Sequence, residues 1–467
     1  MPLISEILAS KFPYSPTGDQ VSLFRFFDRL AESGSPKPVL IIKGYAGTGK
    51  TTVIATLVNV LSLFNYRYML LAPTGRAAKV VAGYAKKSAY TIHKIIYKPR
   101  TDPVTGNFSF VLQKNYHSNT MFFVDEASMI PDKAGFSNKS LLQDLIDYIF
   151  SGNNNRLVLI GDNAQLPPVG YSYSAALDKE DMNSLFRIDS LITELTEVVR
   201  QEEGSGILWN ATKLRGQLNL EDQQISFSIQ GFKDIFRMSS EKFEDGLRYS
   251  YEKFGISESI IITQSNWQAV QYNEHIRRHI LFYEDEITAG DYLMSVKNNY
   301  FWLPEDSPSG FLANGDFLEV LKVGRIEELH GFRFCTLELK MIDFSDQPSF
   351  EAKVILDTLH SKSPSLSTEE NRKLFESVSN DYMDIDSKNK RKKAIMLDPY
   401  LNAIQVKFTY ALTCHKSQGG QWRAVFLDQG WIRNDTIDME YIRWLYTGVT
   451  RATDELFLVN FKDEFFT

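Results

Sequence analysis

The sequence predicts an α/β protein built from two parallel-sheet cores in tandem, the first with a β-hairpin insert and the second interrupted by a small β insert. Three observations lead there. Short apolar runs alternate with helical patterns through the first ~200 residues, and each run ends in a loop rich in Gly, Pro, Thr or Asp. A glycine-rich phosphate loop separates the first of these runs from a helical stretch. Buried-strand runs return after residue 400, beyond a stretch that reads as all-β. Strands alternating with helices argue for a parallel sheet covered on both faces, with ligands at the carboxyl ends of its strands.

The elements follow in order. Val39–Ile42 is a buried strand and Thr51–Phe64 a helix; Tyr68–Ala72, Met121–Val124 and Leu157–Ile160 are further strands. Between two of them, the turn signal Pro103-Val104-Thr105-Gly106-Asn107 precedes Phe108, Phe110 and Leu112, which predicts a hairpin over about 97–120 with its two phenylalanines facing opposite ways. Ser259–Thr263 reads as a strand and Trp267–Leu281 as a helix, and glycines punctuate an all-β stretch over about 290–350. Residues 362–393 are polar, with an acidic stretch and then Lys388, Lys390, Arg391, Lys392 and Lys393. Val406–Leu412, Ala424–Leu427 and Leu456–Val459 return to strand character. The expected domains are 1–200, 201–295, 296–400 for the β insert with a charged arm, and 401–467 for the rest of the second core.

Composition narrows the function classes. The 467 residues are 43% hydrophobic and 23% charged, which excludes global disorder. Fifty-one basic against 58 acidic residues leave a net charge of −7, so a nucleic-acid site must be a local basic groove. Two cysteines and seven scattered histidines exclude a disulfide framework and a four-cysteine zinc site. No apolar run reaches the ~18 residues of a membrane span, and the N-terminus lacks the pattern of a signal peptide. The expected location is the cytoplasm.

Gly44-Tyr45-Ala46-Gly47-Thr48-Gly49-Lys50-Thr51 fits the phosphate-loop pattern G-x-x-x-x-G-K-[ST] and sits between a strand and a helix, as that motif requires. Backbone N–H groups and the helix N-terminus can wrap the phosphates of ATP, Lys50 can reach the β- and γ-phosphates, and Thr51 can ligate Mg²⁺. About 75 residues on, the strand Met121–Val124 delivers Asp125 and Glu126. Asp125 suits the metal, and Glu126 suits a water that attacks the γ-phosphate. A second carboxylate aimed at water separates hydrolysis from small-molecule kinase chemistry.

From here the residues match a family. The chain resembles superfamily 1 helicases of the 5′→3′ branch, the RecD-like and phage Dda-like enzymes. The resemblance rests on Thr17-Gly18-Asp19-Gln20, the phosphate loop, Ala72-Pro73-Thr74-Gly75-Arg76-Ala77-Ala78-Lys79, Thr91-Ile92-His93, Asp125-Glu126-Ala127-Ser128, Gly161-Asp162-Asn163-Ala164-Gln165-Leu166-Pro167-Pro168-Val169-Gly170, Leu195 to Gln201, Tyr410 to Gly419, and Tyr446 to Ala452, in that order. It implies two RecA-like cores. Gln20 would read adenine, Gln165 would link the γ-phosphate to a DNA-facing loop, Arg200 and Arg451 would be arginine fingers, and Gly419 would border the nucleotide. Pro73, Thr74, Arg76, His93, His415, Lys416 and Ser417 would contact single-stranded DNA. The hairpin would be the strand-separating pin, with Phe108 or Phe110 at its working end and the other free to pack into the domain. The β insert would be SH3-like, opening at Ala313-Asn314-Gly315-Asp316. Residues 355–395 depart from the family pattern and read equally as an arm or a disordered loop.

The resemblance implies an ATP-dependent DNA helicase translocating 5′→3′ on single strands, acting as a monomer at DNA forks, with replication, repair or recombination proteins as candidate partners. Three alternatives remain: the motor subunit of a helicase–nuclease complex, an RNA or mixed-substrate helicase, and an ATP-switched DNA clamp. No nuclease carboxylate cluster stands outside the ATPase motifs.

Overall fold

The structure is a computed structural model that describes residues 2–101, 108–132, 139–168, 170–199, 204–304, 307, 311–344, 346–430 and 437–466. The strands of the first core and its insert are β1 (Val39–Gly44), β2 (Arg67–Ala72), β3 (Ala89–Thr91), β4 (Tyr97–Thr101), β5 (Phe108–Leu112), β6 (Thr120–Val124), β7 (Arg156–Gly161) and β8 (Leu191–Leu195). Six of them form one sheet in the order β3-β2-β6-β7-β1-β8, parallel throughout. The continuous apolar runs follow from burial on both faces. Phe122, Val124, Leu157 and Leu159 enter one hydrophobic cluster, while Met121, Phe123, Val158 and Ile160 enter another on the opposite face.

The remaining strands are β9 (Ile235–Met238), β10 (Ser259–Thr263), β11 (Tyr292–Ser295), β12 (Phe317–Leu329), β13 (Phe332–Met341), β14 (Phe350–Ile355), β15 (Ile404–Phe408), β16 (Ala411–Thr413), β17 (Trp422–Asp428) and β18 (Ala452–Val459). A second parallel sheet has the order β16-β10-β17-β18-β9, and β11 to β15 close a barrel. Ala424 and Phe426 of the sheet share one core with Leu337, Leu339 and Val406 of the barrel. The barrel and the second core are thus packed as one unit.

Several expectations are corrected here. The run Val406–Leu412 is two strands in two sheets: β15 closes the barrel, and β16 starts at Ala411, with two residues between it and the last residue of β15, Phe408. The helix expected over Thr51–Phe64 is α-helical over Lys50–Val60 and tightens to a 3₁₀ turn at Leu61–Phe64. The helix expected over Trp267–Leu281 is α-helical over Asn266–His275 and widens to a π turn at Ile276–Ile280. The polar stretch after residue 362 is neither a free arm nor a loop. Strands β14 and β15 pair in parallel, so the chain between them must cross over. It does so through helices Thr368–Asn380 and Lys388–Met396, and Leu366, Leu374 and Val378 pack on Phe332, Phe334 and Ile355 of the barrel.

The expected hairpin is an antiparallel pair from Tyr97 opposite Leu112 to Thr101 opposite Phe108. Its turn, 102–107, and the side chains of Phe108 and Phe110 lie outside the described residues. Positions 108 and 110 are separated by the strand's own two-residue period, so they occupy equivalent places in the pleat rather than opposite ones. No described helix is long and apolar enough to cross a membrane.

Candidate active site and nucleic-acid interface

The phosphate loop leaves β1 and turns into helix Lys50–Val60 through Gly47 and Gly49, both with positive φ. At Gly49 (φ +77°) a side chain would also strike the Gln20 amide at 2.5 Å, so glycine is required there twice over. Lys50 Nζ donates to the carbonyls of Gly44 (2.5 Å) and Tyr45 (2.7 Å) across the loop's own concavity. Lys50, Thr51 and Asp125 line one small cavity at the sheet's carboxyl edge. A hydroxyl and a carboxylate there, beside a phosphate loop, form the donor set that suits a hydrated Mg²⁺ shared with phosphates.

Asp125 Oδ1 accepts from the Glu126 N–H at 3.0 Å, and Glu126 holds a left-handed backbone (φ 51°) that turns it out of line with β6. Burial pushes both carboxyls up: Asp125 against the pull of Lys50, and Glu126 to about 7 against the pull of Arg451. Arg451 Nη1 stands 3.9 Å from Glu126 Oε1. The Arg451 guanidinium, only 3% exposed, also donates to the carbonyls of Thr447 (3.1 Å) and Gly420 (3.2 Å). A cation from the second core therefore reaches the Glu126 carboxylate of the first.

Further bonds tie the same seam. Tyr446 donates to Asp162 Oδ2 at 2.6 Å and accepts from the Ala46 N–H of the phosphate loop at 2.9 Å. Leu166 N–H donates to Thr447 Oγ1 (2.9 Å), and Gln418 Nε2 donates to the Leu166 carbonyl (2.6 Å). These contacts join Gly161–Gly170 to both Tyr410–Gly419 and Tyr446–Ala452. Tyr446, Asp162, Thr447 and Gln418 all lay inside the matched sequence stretches without a role; only the fold shows that they meet.

The structure places other expected residues differently. Gln20, expected to read adenine, spends its amide on hydrogen bonds within the chain. Its Oε1 accepts from Thr17 N–H (3.1 Å) in a capping box, and its Nε2 donates to the Thr48 carbonyl (3.0 Å), so it braces the loop. Gly419 (φ +71°) faces the other core at Ala77 and Thr74, where a Cβ would come within 2.8 and 3.3 Å, rather than the phosphate loop. Arg76, expected on DNA, is buried: its guanidinium lies over Trp422 (4.2 Å) and Phe317 (4.8 Å) and donates to the Gln421 carbonyl (3.2 Å). Ser417 is fully buried, with its hydroxyl on the Cys414 carbonyl (2.8 Å). Burial pulls His93 down to about 4, beside Tyr97 and Phe311. Arg200 lies outside the described residues.

The remaining candidates keep their places at the tops of the two cores. Pro73 and Thr74 follow β2 directly, with Thr74 capping helix Gly75–Ala85 through Ala77 N–H (3.2 Å). His415 and Lys416 open the short helix Cys414–Ser417 after β16. Burial pushes Lys416 down to about 8, and Lys407 likewise, helped by Lys416. Lys407 was not foreseen: it sits in a strand with no motif around it, and its Nζ donates to the Ser361 carbonyl. Two neighbouring lysines without an ion-pair partner among the described residues suit the phosphates of a strand.

Fold and site define a class: an ATPase whose phosphate loop in one α/β core is completed by groups from a second. Comparison with known proteins agrees. A profile described as an AAA domain matches residues 29–171, and one described as a UvrD-like helicase C-terminal domain matches 408–459. An uncharacterised protein, R530 of Acanthamoeba polyphaga mimivirus, is 25% identical over 90% of this chain and 94% of its own. The ATP-dependent DNA helicase Dda of phage T4 is 29% identical over 41% of each chain, and the RecD2 DNA helicase of Deinococcus radiodurans 29% over 28% of this chain and 16% of its own. A Bacteroides Pif1 helicase structure with ADP-AlF3 and single-stranded DNA covers 97% of this chain and is covered over 94% of its own, at 14% identity and a TM-score of 0.46. These matches support a superfamily 1 helicase of the 5′→3′ branch.

Proposed function

We propose that the chain is an ATP-dependent DNA helicase that translocates 5′→3′ on single-stranded DNA and separates duplex at the β4–β5 hairpin. The supporting observation is the seam itself: Arg451 beside Glu126, and Tyr446 between Ala46 and Asp162. A nucleotide site completed across two bodies makes ATP a ligand with unequal affinity for open and closed arrangements, and hydrolysis resets that preference. In this reading Lys50 and a Mg²⁺ held by Thr51 and Asp125 meet the phosphates, Glu126 positions the attacking water, and Arg451 and Arg200 stabilise the developing charge. Gln165, buried in the same seam, would carry the change towards DNA. The strand would cross Pro73, Thr74, His415, Lys416 and Lys407, bound through its backbone and therefore without sequence preference. The domain limits remain those proposed from sequence, with the barrel extended to run from Tyr292 through Phe408.

Strand separation tests this on two forks, one with only a 5′ tail and one with only a 3′ tail, with Lys50→Ala as the blank. Unwinding of the 5′-tailed fork alone is expected. Unwinding of neither, with DNA-stimulated ATPase intact, would favour the clamp or the subunit of a larger complex. Phe108→Ala with Phe110→Ala should impair unwinding and leave a clamp unaffected.

A further inference from the structure

A second cavity lies on the seam, lined by Lys43, Ser128, Asp162, Gln165 and Tyr173 of the first core and Arg443 of the second. Its polar atoms are unusual. Ser128 Oγ, Gln165 Oε1 and Arg443 Nε are buried and make no hydrogen bond within the protein. Buried polar groups ordinarily find partners, so three orphans around one cavity point to something that fills it.

The charges say what kind of group fits. Arg443, in helix Met439–Val449, spends only Nη1, on the Ser172 carbonyl at 3.0 Å, and has no carboxylate partner among the described residues. Lys43, near the end of β1, likewise has no ion-pair or hydrogen-bond partner among them. The two carboxylates at the cavity are already engaged: Asp162 accepts from Tyr446 OH and Ala164 N–H, and Asp178 caps helix Lys179–Phe186 through the N–H groups of Glu180 and Asp181. Two cations that form no ion pair with either carboxylate among the described residues, one from each core, with a hydroxyl donor and one free amide oxygen, suit a small anion that also carries a proton to donate. Burial pulls the Arg443 guanidinium down with no carboxylate offsetting it, as expected where the counter-ion is not part of the chain.

We propose that this cavity binds the inorganic phosphate released by hydrolysis, held between Lys43 and Arg443 before it leaves. This rests on the ATPase reading above. In that reaction the water oxygen bonds to the γ-phosphorus and the bond to the β–γ bridging oxygen breaks. ADP keeps that oxygen with its electron pair, and the products are ADP, hydrogen phosphate and a proton. Hydrogen phosphate supplies oxygens to Lys43, Ser128 and Arg443, and its P–OH can donate to Gln165 Oε1. Because the two cations belong to different cores, bound phosphate also holds the cores together, and its departure releases one tie between them.

The test is product inhibition of the ATPase by inorganic phosphate and, separately, by ADP, at constant ionic strength, in the wild type, Arg443→Gln and Lys43→Gln. Phosphate should inhibit the wild type at tens of millimolar or below. Its inhibition constant should rise roughly tenfold or more in either variant, since removing one charge of a desolvated pair is worth at least that factor. ADP inhibition should stay within about twofold. Phosphate inhibition that is absent in the wild type, unchanged in both variants, or shifted in step with ADP inhibition would overturn the site. Should one variant fail to fold, as judged by its melt, the other decides. A wild type with no ATPase activity would instead sink the underlying function.

Discussion

Removal of Arg76 probes how the three bodies are held together. Its side chain is 12% exposed and sits between helix Gly75–Ala85 of the first core, Phe317 of the barrel and Trp422 of the second core. Each cation–π contact in such a partly desolvated place is worth about 0.5–2 kcal/mol, and a charged hydrogen bond such as that to Gln421 about 1.5–3 kcal/mol. Arg76 Nη1 also faces Asp343 at 3.8 Å; truncation would leave that buried carboxylate with Lys79 alone, at 3.4 Å. These terms overlap, and breaking one side of a buried charge pair costs about 3–5 kcal/mol in all. The cost falls on a contact between bodies, so the expected result of Arg76→Ala is local opening, not global unfolding. Hydrogen exchange should show it: backbone amides around Phe317 and Trp422 should open about a hundred- to several thousandfold more often, since each 1.4 kcal/mol is a factor of ten. Arg76→Lys should recover part of this, because lysine keeps the charge but loses the planar fork. Exchange in Arg76→Ala within about threefold of wild type would refute the strut and return Arg76 to the DNA-facing role expected from sequence.

Three more outcomes follow from the same geometry. Arg451→Ala should lower kcat far more than ATP affinity, by about 10³-fold for a finger residue; equal losses in both would make it a structural tie only. Lys407→Ala should weaken single-strand binding and lower the slope of log affinity against log salt by about 0.7, the value of one phosphate contact; an unchanged slope would remove Lys407 from the DNA path. Asp316 is pushed up to about 8 by burial, with Asp343 adding to the rise and the Ala313 N–H opposing it. Its folded value lies above its ordinary 3.8, so its contribution to stability is full below that pH and is lost as pH rises from about 4 through 8. Asp316→Asn keeps an acceptor for Ala313 N–H and should flatten the fall in melting temperature between pH 5 and 9; an unchanged fall would show that the carboxyl ionises freely.

The sequence by itself determined the parts of this protein that are local. A phosphate loop needs glycines at fixed offsets, so Gly44 to Thr51 identified the ATP site before any fold was known. Strands buried on both faces must be apolar at consecutive positions, so β1, β6, β7 and β10 were legible as runs. The helix at Thr368–Asn380 was not read from sequence, where net polarity outweighed its Ser367-to-Glu370 capping box. The tertiary structure decided whatever depends on residues far apart in sequence. Nothing local distinguishes an arginine on DNA from Arg76, which spends its charge on Trp422, 346 residues away. Nothing local separates Ile404–Phe408 from the second core, because its barrel neighbours, β11 and β14, precede a long crossover. The same holds for Lys43 and Arg443: each reads as an ordinary surface cation until the two cores meet. Short-range chemistry is written in spacing, whereas burial, pairing and charge compensation exist only once the chain has closed on itself.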